Sequence, residues 1–224
     1  LPHDLELIAF TAREKAHDVL LSLEPGFDLE QSSSKIIGSS STRRRAIMQA
    51  KYPQHNLVEM RGNLQTRLEK LKNGTCDAML LAYAGVHRME MEQHIVKHFP
   101  IDQFTPAVGQ GSVAIQASTN LPFELKNQIR LACNDTETEE CILAERQLLF
   151  ELEGGCSVPV YGHAWKEGKE IHLKAGVLSL DGGQHIESAM IGQNSIELGQ
   201  KVAKDLISKG AKEILREIKS NSNE

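Results

Sequence analysis

The chain has 224 residues, 40% of them hydrophobic and 25% charged, enough length and apolar content to bury a substantial core, so disorder, collagen and coiled coil are excluded as its dominant state. Its net charge is −5, yet residues 35–72 hold nine basic side chains against two acidic ones, and residues 132–155 hold seven acids and one arginine. A basic cluster on an acidic protein points to a local anion site, whereas duplex binders carry a broad positive excess, and ten aromatics in the whole chain offer little for base stacking.

Residues 5–10 alternate in part and predict a strand, followed by a polar connector over 11–18 and a turn at Glu24-Pro25-Gly26. From Lys35 the pattern is regular. A short strand over 35–38 is followed by Ser39-Ser40-Ser41-Thr42, a run suited to capping, and by a helix over 43–51 that Pro53 ends. A second strand over 57–60 leads through Arg61-Gly62-Asn63 into a helix in which Leu64, Leu68 and Leu71 share a face, closed by Asn73-Gly74. Residues 77–82 are apolar almost throughout, as a strand buried on both faces should be. This βαβαβ order predicts a parallel sheet with right-handed crossovers and a ligand beyond the carboxyl ends of its strands.

Pro106-Ala107-Val108-Gly109-Gln110-Gly111 is a glycine-rich turn into a strand over 112–117, and a helical segment from about Thr136 leads to Glu153-Gly154-Gly155-Cys156. The period then changes to two. Strands over 158–165, 171–180 and 185–191 are separated by Gly168 and Asp181-Gly182-Gly183, and helices over 195–208 and 211–219 close the chain. An antiparallel sheet with helices on one face is expected there. No apolar run is long enough to span a membrane, and Leu1-Pro2-His3-Asp4 has neither the basic nor the apolar region of a secretion signal. Cysteines 76, 133, 141 and 156 make no C-x-x-C pair, so a reducing, cytoplasmic or stromal location is expected. The nine histidines show no metal-ligand spacing.

Three places carry the chemistry. Ser39-Ser40-Ser41-Thr42-Arg43-Arg44 combines the free N–H groups of a helix start with hydroxyls and two guanidinium forks, the parts that hold carboxylates or phosphates. An ordinary capped helix with a solvated basic face uses the same residues. Arg61-Gly62-Asn63 with Arg67 repeats strand, arginine and helix one unit later, so the two loops are expected to converge on one cleft. Cys156, in a tight loop after two glycines, is either a nucleophilic or covalently modified thiol or a small buried hydrophobe. Cys76, Cys133 and Cys141 fall in helix or strand patterns and read as packing residues.

Taken together, Gly38 to Arg44, Arg61-Gly62-Asn63-Leu64-Gln65-Thr66-Arg67-Leu68, Leu81-Ala82-Tyr83-Ala84-Gly85, Pro106 to Gly111, Ala144-Glu145-Arg146 and Leu152-Glu153-Gly154-Gly155-Cys156-Ser157-Val158-Pro159 resemble the porphobilinogen deaminases, also called hydroxymethylbilane synthases. The resemblance runs in order from Leu1 to the C-terminal helices. It implies a transferase of haem and other tetrapyrrole biosynthesis. Such an enzyme condenses four porphobilinogen molecules stepwise onto a cysteine-linked dipyrromethane primer, releases ammonia at each step, and hydrolyses the product to hydroxymethylbilane. The fold implied is α/β, with periplasmic-binding-protein-like βαβ domains and a C-terminal α+β antiparallel-sheet domain. Residues 1–15 and 106–130 would be a remnant of domain 1, residues 16–105 domain 2, and residues 131–224 domain 3.

By motif position, Cys156 would carry the dipyrromethane, and Ser41, Arg43, Arg44 and Gly62 would bind it. Arg61, Arg67, Arg88 and Gln110 would bind substrate carboxylates, with Gln110 in a hinge-like segment. The partners implied are porphobilinogen and linear polypyrrole intermediates, without nucleic acid, membrane or metal, in a cytoplasmic protein that is a monomer when complete. The family's histidine-serine-x-lysine-aspartate segment directly precedes a Leu-Pro or Val-Pro pair, and this chain opens on Leu1-Pro2. The catalytic aspartate and most of the first domain are therefore expected before Leu1, no catalytic residue is expected within the chain, and these 224 residues alone are expected to be inactive in elongation. Ser39 stands where threonine is common, His87 where lysine is common beside Arg88, and Ser157 where glutamine is common. Two rival readings use the same residues. One is a non-catalytic two-lobed α/β protein that binds small dicarboxylates and has a structural Cys156; the other is a nucleic-acid binder using residues 35–72.

Overall fold

Three separate sheets organise the computed structural model, which describes residues 2–31, 33–153 and 158–221. In chain order the first elements are β1 (Leu5–Phe10), β2 (Asp18–Ser22), β3 (Ile36–Gly38), α1 (Thr42–Lys51), β4 (Asn56–Val58), α2 (Leu64–Lys72), β5 (Ala78–Ala82), α3 (Tyr83–Arg88) and β6 (Ile95–His98). They are followed by β7 (Ala114–Ser118), α4 (Phe123–Cys133), α5 (Thr136–Glu151), β8 (Val160–Glu167), β9 (Glu170–Leu178), β10 (His185–Gly192), α6 (Ser195–Ser208) and α7 (Ala211–Asn221).

The central sheet has the order β4-β3-β5-β2-β6. β3, β4 and β5 pair parallel, with α1 and α2 as their crossovers, as the βαβαβ pattern predicts. β2 and β6, neither of which was read as a strand from the sequence, extend this parallel unit antiparallel, so the whole sheet is mixed. The reason lies in β2. All five of its residues are buried, and Val19 and Leu21 enter one apolar cluster while Leu20 enters the other, because successive strand side chains point to opposite faces. Leu20, Ile37 and Leu80 pack with Met48 of α1 and with Phe104; Val19, Leu21, Met79 and Leu81 pack with Met60, Leu71 of α2 and Val86 of α3. Each such side chain contributes roughly 1.5–3 kcal/mol on burial.

The tail sheet has the order β10-β9-β8, antiparallel throughout, as its period-two pattern predicts. One face packs on α5, α6 and α7 through Leu148, Leu173, Ala175, Val202, Leu206 and Leu215. Its other face contributes Tyr161 and Leu178 to the cluster that also holds Ile47 and Met48 of α1. The turn after β9 completes this contact. Gly182 has φ +73°, and a Cβ there would lie 2.7 Å from Ala46 O and 2.7 Å from Ala50 N, so the turn rests on the backbone of α1.

A buried ion pair joins the parts. Glu145 of α5 is fully buried and receives both arms of Arg13, at 2.8 and 2.9 Å, together with the N–H groups of Gly109 and Ala164, each at 2.7 Å. Four segments distant in sequence are thereby held at one carboxylate, with every bond charge-assisted. β1 and β7 form the third sheet, two strands flanked by α4, whose Arg130 donates to Ile8 O at 2.6 Å. Val113, Phe123, Leu125 and Leu131 are exposed around it.

Candidate functional site

The carboxyl ends of β3 and β5 and the amino end of antiparallel β2 share one edge of the central sheet. β3 ends at Gly38, where a Cβ would lie 2.5 Å from Met60 Cγ and 2.9 Å from Cys76 Sγ, so only glycine lets the chain turn there without repacking. Ser39 follows, buried, its hydroxyl accepting from Ser41 N at 3.2 Å. Ser41 is the N-cap of α1, its extended backbone and side chain accepting from Arg44 N in the way capping serines do. The first turn of α1 therefore presents its N–H groups and two arginines at the sheet edge.

Asp18, the first residue of β2, is fully buried between those arginines. Arg44 reaches its Oδ1 through Nη2 at 2.8 Å and Nε at 2.9 Å, and Arg43 Nη1 lies 2.7 Å from its Oδ2. Gln110 closes the group by donating to Asp18 Oδ1 at 2.9 Å and to Ala16 O at 2.5 Å, while its carbonyl faces Arg43 and Arg44 at 3.4 and 3.3 Å. Burial opposes ionisation of Asp18, but the two guanidinium groups outweigh it and hold the carboxyl below its ordinary value. Burial likewise lowers Arg43, against the pull of Asp18.

Two cations and one carboxylate leave a positive surplus. Arg67 stands near enough that the charge of Arg44, after burial, lowers its pKa. Like charges brought together over a helix start make a place for an anion. Arg44 is 11% exposed, and its Nη1 has no protein partner among the described residues. Arg43 is 3% exposed and also donates to Thr105 O at 2.8 Å, so it faces inward; its buried Nε has no acceptor among the described residues.

The structure brings Ser41, Arg43, Arg44, Arg67 and Gln110 together, but not Arg61. Of the two loops expected to converge, Arg67 is near enough to feel the charge of Arg44, whereas Arg61 is 80% exposed and bonded to Glu59 at 2.7 Å. Gly62, with φ +115°, turns the loop so that its carbonyl accepts from Arg67 Nε at 2.8 Å. Arg88 ends α3, exposed. Cys156, with Gly154, Gly155 and Ser157, lies outside the described residues.

Asp18 is the residue that sequence reading missed, placed in a polar connector although an unbroken apolar run follows it. Beside it stands a second unanticipated group: His17 Nε2 lies 2.8 Å from His98 Nδ1, and the His17 ring stacks on Tyr83 at 4.8 Å. Burial, then His98 and Lys15, lower the pKa of His17. Among the described residues no three His, Cys, Asp or Glu side chains are grouped to hold a metal, and no helix is long and apolar enough to cross a membrane.

A mixed sheet that presents a serine-capped helix start and arginine forks at one edge, braced by an antiparallel tail, defines an α/β protein with a cationic site at the edge of its sheet. Residues 1–123 match the family model described as porphobilinogen deaminase, dipyromethane cofactor binding domain, and residues 139–208 match porphobilinogen deaminase, C-terminal domain. The porphobilinogen deaminase of Cytophaga hutchinsonii is 45% identical over 215 residues, 95% of this chain and 69% of the relative. That of Desulfosudis oleivorans is 44% identical over 222 residues, 98% of this chain and 72% of the relative. Among solved structures, a TRAP periplasmic solute binding protein from Pseudomonas putida F1 with bound D-glucuronate gives a TM-score of 0.42 at 14% identity, over 67% of this chain and 45% of its own. The chain belongs to the porphobilinogen deaminase family, transferases of tetrapyrrole biosynthesis that use a dipyrromethane cofactor. The donor set fits such a cofactor, because an acidic pyrrole offers carboxylates to Arg44, Arg67 and the start of α1, where a buried Arg43 Nε also lacks an acceptor.

Proposed function

We propose that the chain serves the stepwise condensation of four porphobilinogen molecules onto a dipyrromethane held by Cys156, with release of ammonia at each addition and hydrolysis of the product to hydroxymethylbilane. The observation that supports this most is the free edge of Arg44 over the Ser41-capped start of α1, with Arg67 beside it. Porphobilinogen and its oligomers carry an acetate and a propionate on each ring. Bidentate guanidinium binding neutralises such groups and fixes the plane of the ring, which a point charge does not do.

Each residue has a part in this reading. Arg44, the hydroxyl of Ser41 and the backbone at Gly62 hold the cofactor's carboxylates, and Arg67 and Arg88 take those of incoming rings. Asp18, Arg43 and Gln110 fix the plane of Arg44 from behind. Arg61, tied only to an exposed Glu59, turns toward a growing chain at little cost, since exposed pairs are weak. When bound, the dipyrromethane supplies the primer to which rings are added. The support for Cys156 as its thioether anchor is the Gly154-Gly155-Cys156-Ser157-Val158-Pro159 motif and its place within the matched C-terminal domain.

The acid at this edge, Asp18, is buried and paired with both arginines, so it is not available to stabilise positive charge on a reacting ring. These 224 residues alone are therefore expected to bind porphobilinogen without elongating it. In this reading residues 16–105 form the carboxylate-binding lobe, residues 131–224 the cysteine-bearing tail, and residues 1–15 with 106–130 part of a further lobe, in a cytoplasmic monomer. Calorimetric titration with porphobilinogen tests the site. Arg44→Ala is expected to weaken binding by about tenfold or more, as loss of a charged hydrogen bond does, with Arg44→Lys recovering part. Equal affinity in wild type and Arg44→Ala would overturn the assignment, and porphobilinogen consumption well above a Cys156→Ala control would overturn the expected inactivity.

A further inference from the structure

Arg61, Gly62 and Asn63 are all exposed, and the loop they form pivots on a glycine with φ +115°, the residue type with the most backbone freedom. An exposed loop of that kind drifts unless bonds from a packed element fix its peptide planes. The following helix, α2, fixes them one loop residue at a time. Lys70 Nζ donates to Arg61 O at 3.0 Å, and Arg67 Nε donates to Gly62 O at 2.8 Å. Asn63 Oδ1 accepts from Thr66 N at 2.9 Å and from Thr66 Oγ1 at 3.0 Å. Thr66 also lies against the pivot, its Cγ2 2.9 Å from where a Cβ on Gly62 would stand. Thr66, Arg67 and Lys70 fall within little more than one turn, on one side of α2.

These bonds decide which way the loop's N–H groups point. Its peptides are trans, and in a trans peptide the N–H lies opposite the carbonyl that precedes it. With the carbonyls of Arg61 and Gly62 turned toward α2, the N–H groups of Gly62 and Asn63 are turned away from it, and neither has an acceptor among the described residues. Arg67 belongs to the cationic site itself. Lys70 does not: its bond among the described residues is to the Arg61 carbonyl, and the charge on its ammonium makes that bond stronger than a neutral one.

We propose that Lys70 is a positioning residue for the binding of pyrrole carboxylates: it fixes the peptide between Arg61 and Gly62, so that the Gly62 N–H meets a carboxylate while the Arg61 side chain swings from a stationary backbone. The inference rests on the assignment of Arg61, Gly62 and Arg67 to ligand binding. Lys70 itself touches no ligand in this role and acts through the loop.

Two measurements on the whole chain test it, one without ligand and one with porphobilinogen. The order parameter of the Gly62 N–H, from nitrogen relaxation, is expected at the rigid level of about 0.85 in the wild type and below about 0.6 in Lys70→Met, which keeps the side-chain length and removes the donor. Lys70→Arg, with a charged donor restored, is expected to recover the rigid value. Calorimetric titration is expected to give an affinity about fivefold lower in Lys70→Met, the scale of one lost hydrogen bond, and within about twofold of wild type in Lys70→Arg. Lys72→Met removes a positive charge from the same end of α2 and is expected to leave both readings in place. An unchanged order parameter in Lys70→Met, an unchanged affinity despite a fallen order parameter, or a loss in Lys72→Met equal to that in Lys70→Met would each overturn the proposal. A wild type that binds no porphobilinogen would instead overturn the assignment of the arginine edge, and the role of Lys70 in binding with it.

Discussion

Arg13 and Glu145, 132 residues apart in sequence, meet as a two-armed ion pair in which Glu145 is fully buried. Because the same carboxylate also accepts from Gly109 and Ala164, removing it strands a buried cation and two backbone donors together. Glu145→Ala is expected to cost about 3–5 kcal/mol, the scale for breaking one side of a buried pair. The double variant Arg13→Met/Glu145→Leu is expected to recover part of that. Urea unfolding followed by Trp165 fluorescence measures both, and a single variant within about 1 kcal/mol of wild type would contradict the account of the joint.

His163 gives a pH signature. Burial and then Arg13 push its pKa down to about 4, from 6.5. The unfolded chain therefore takes up the proton first, so the stability tied to a neutral His163 is complete above about pH 6.5 and is lost as pH falls toward 4. The expected loss across that window is roughly 3 kcal/mol. Asp18, whose carboxyl is held below its ordinary value, acts lower: its contribution is present above the unfolded carboxylate pKa and disappears as pH falls through the folded one. His163→Gln should flatten the upper window and leave the lower one. An unchanged slope in that variant would remove His163 as its source.

Gly182 links the tail to the helix that carries Arg43 and Arg44. Its φ of +73° and the 2.7 Å approach of a Cβ to Ala46 O and Ala50 N make Gly182→Ala strained in both backbone and packing. Gly168 is the control, with φ +64° and nothing within 4 Å of a Cβ. Gly168→Ala should cost about 1 kcal/mol, from left-handed backbone alone. Gly182→Ala should cost more and also weaken porphobilinogen binding, because it displaces α1. Equal stability losses with unchanged affinity would show that the turn does not position the helix.

Much of this was legible because it is local. The leucines at 64, 68 and 71, the serine run that caps α1, and the alternation in the tail strands each lie within one element. β2 was not, because five buried residues in a row have no period, and its pairing partners in β5 lie about 60 residues on. α4 was missed for the opposite reason: none of its residues is buried, so its apolar side chains, Phe123 and Leu131 among them, form no stripe facing a core. At the site, Ser41 and Arg44 announce themselves at a helix start, whereas the bond from Gln110 to Asp18 spans 92 residues and leaves no mark in either neighbourhood. The solvent-facing pose of Arg61 follows from Glu59 two residues earlier, a pairing that motif position alone does not reveal.

The central claim is that Cys156 carries the pyrrole primer held at the Arg44 edge. Its most direct test is the intact mass of the purified chain before and after exposure to hydroxymethylbilane, whose terminal hydroxyl leaves as water while the Cys156 thiol gives up its proton and takes its place, a capture that needs no elongation step, with Ehrlich's reagent as the colour test for linked pyrroles. The account predicts a mass gain of covalently linked pyrrole rings with a positive colour, both absent in Cys156→Ala and reduced in Arg44→Ala. An unchanged mass with a freely titrating thiol, or an adduct that persists in Cys156→Ala, would contradict it.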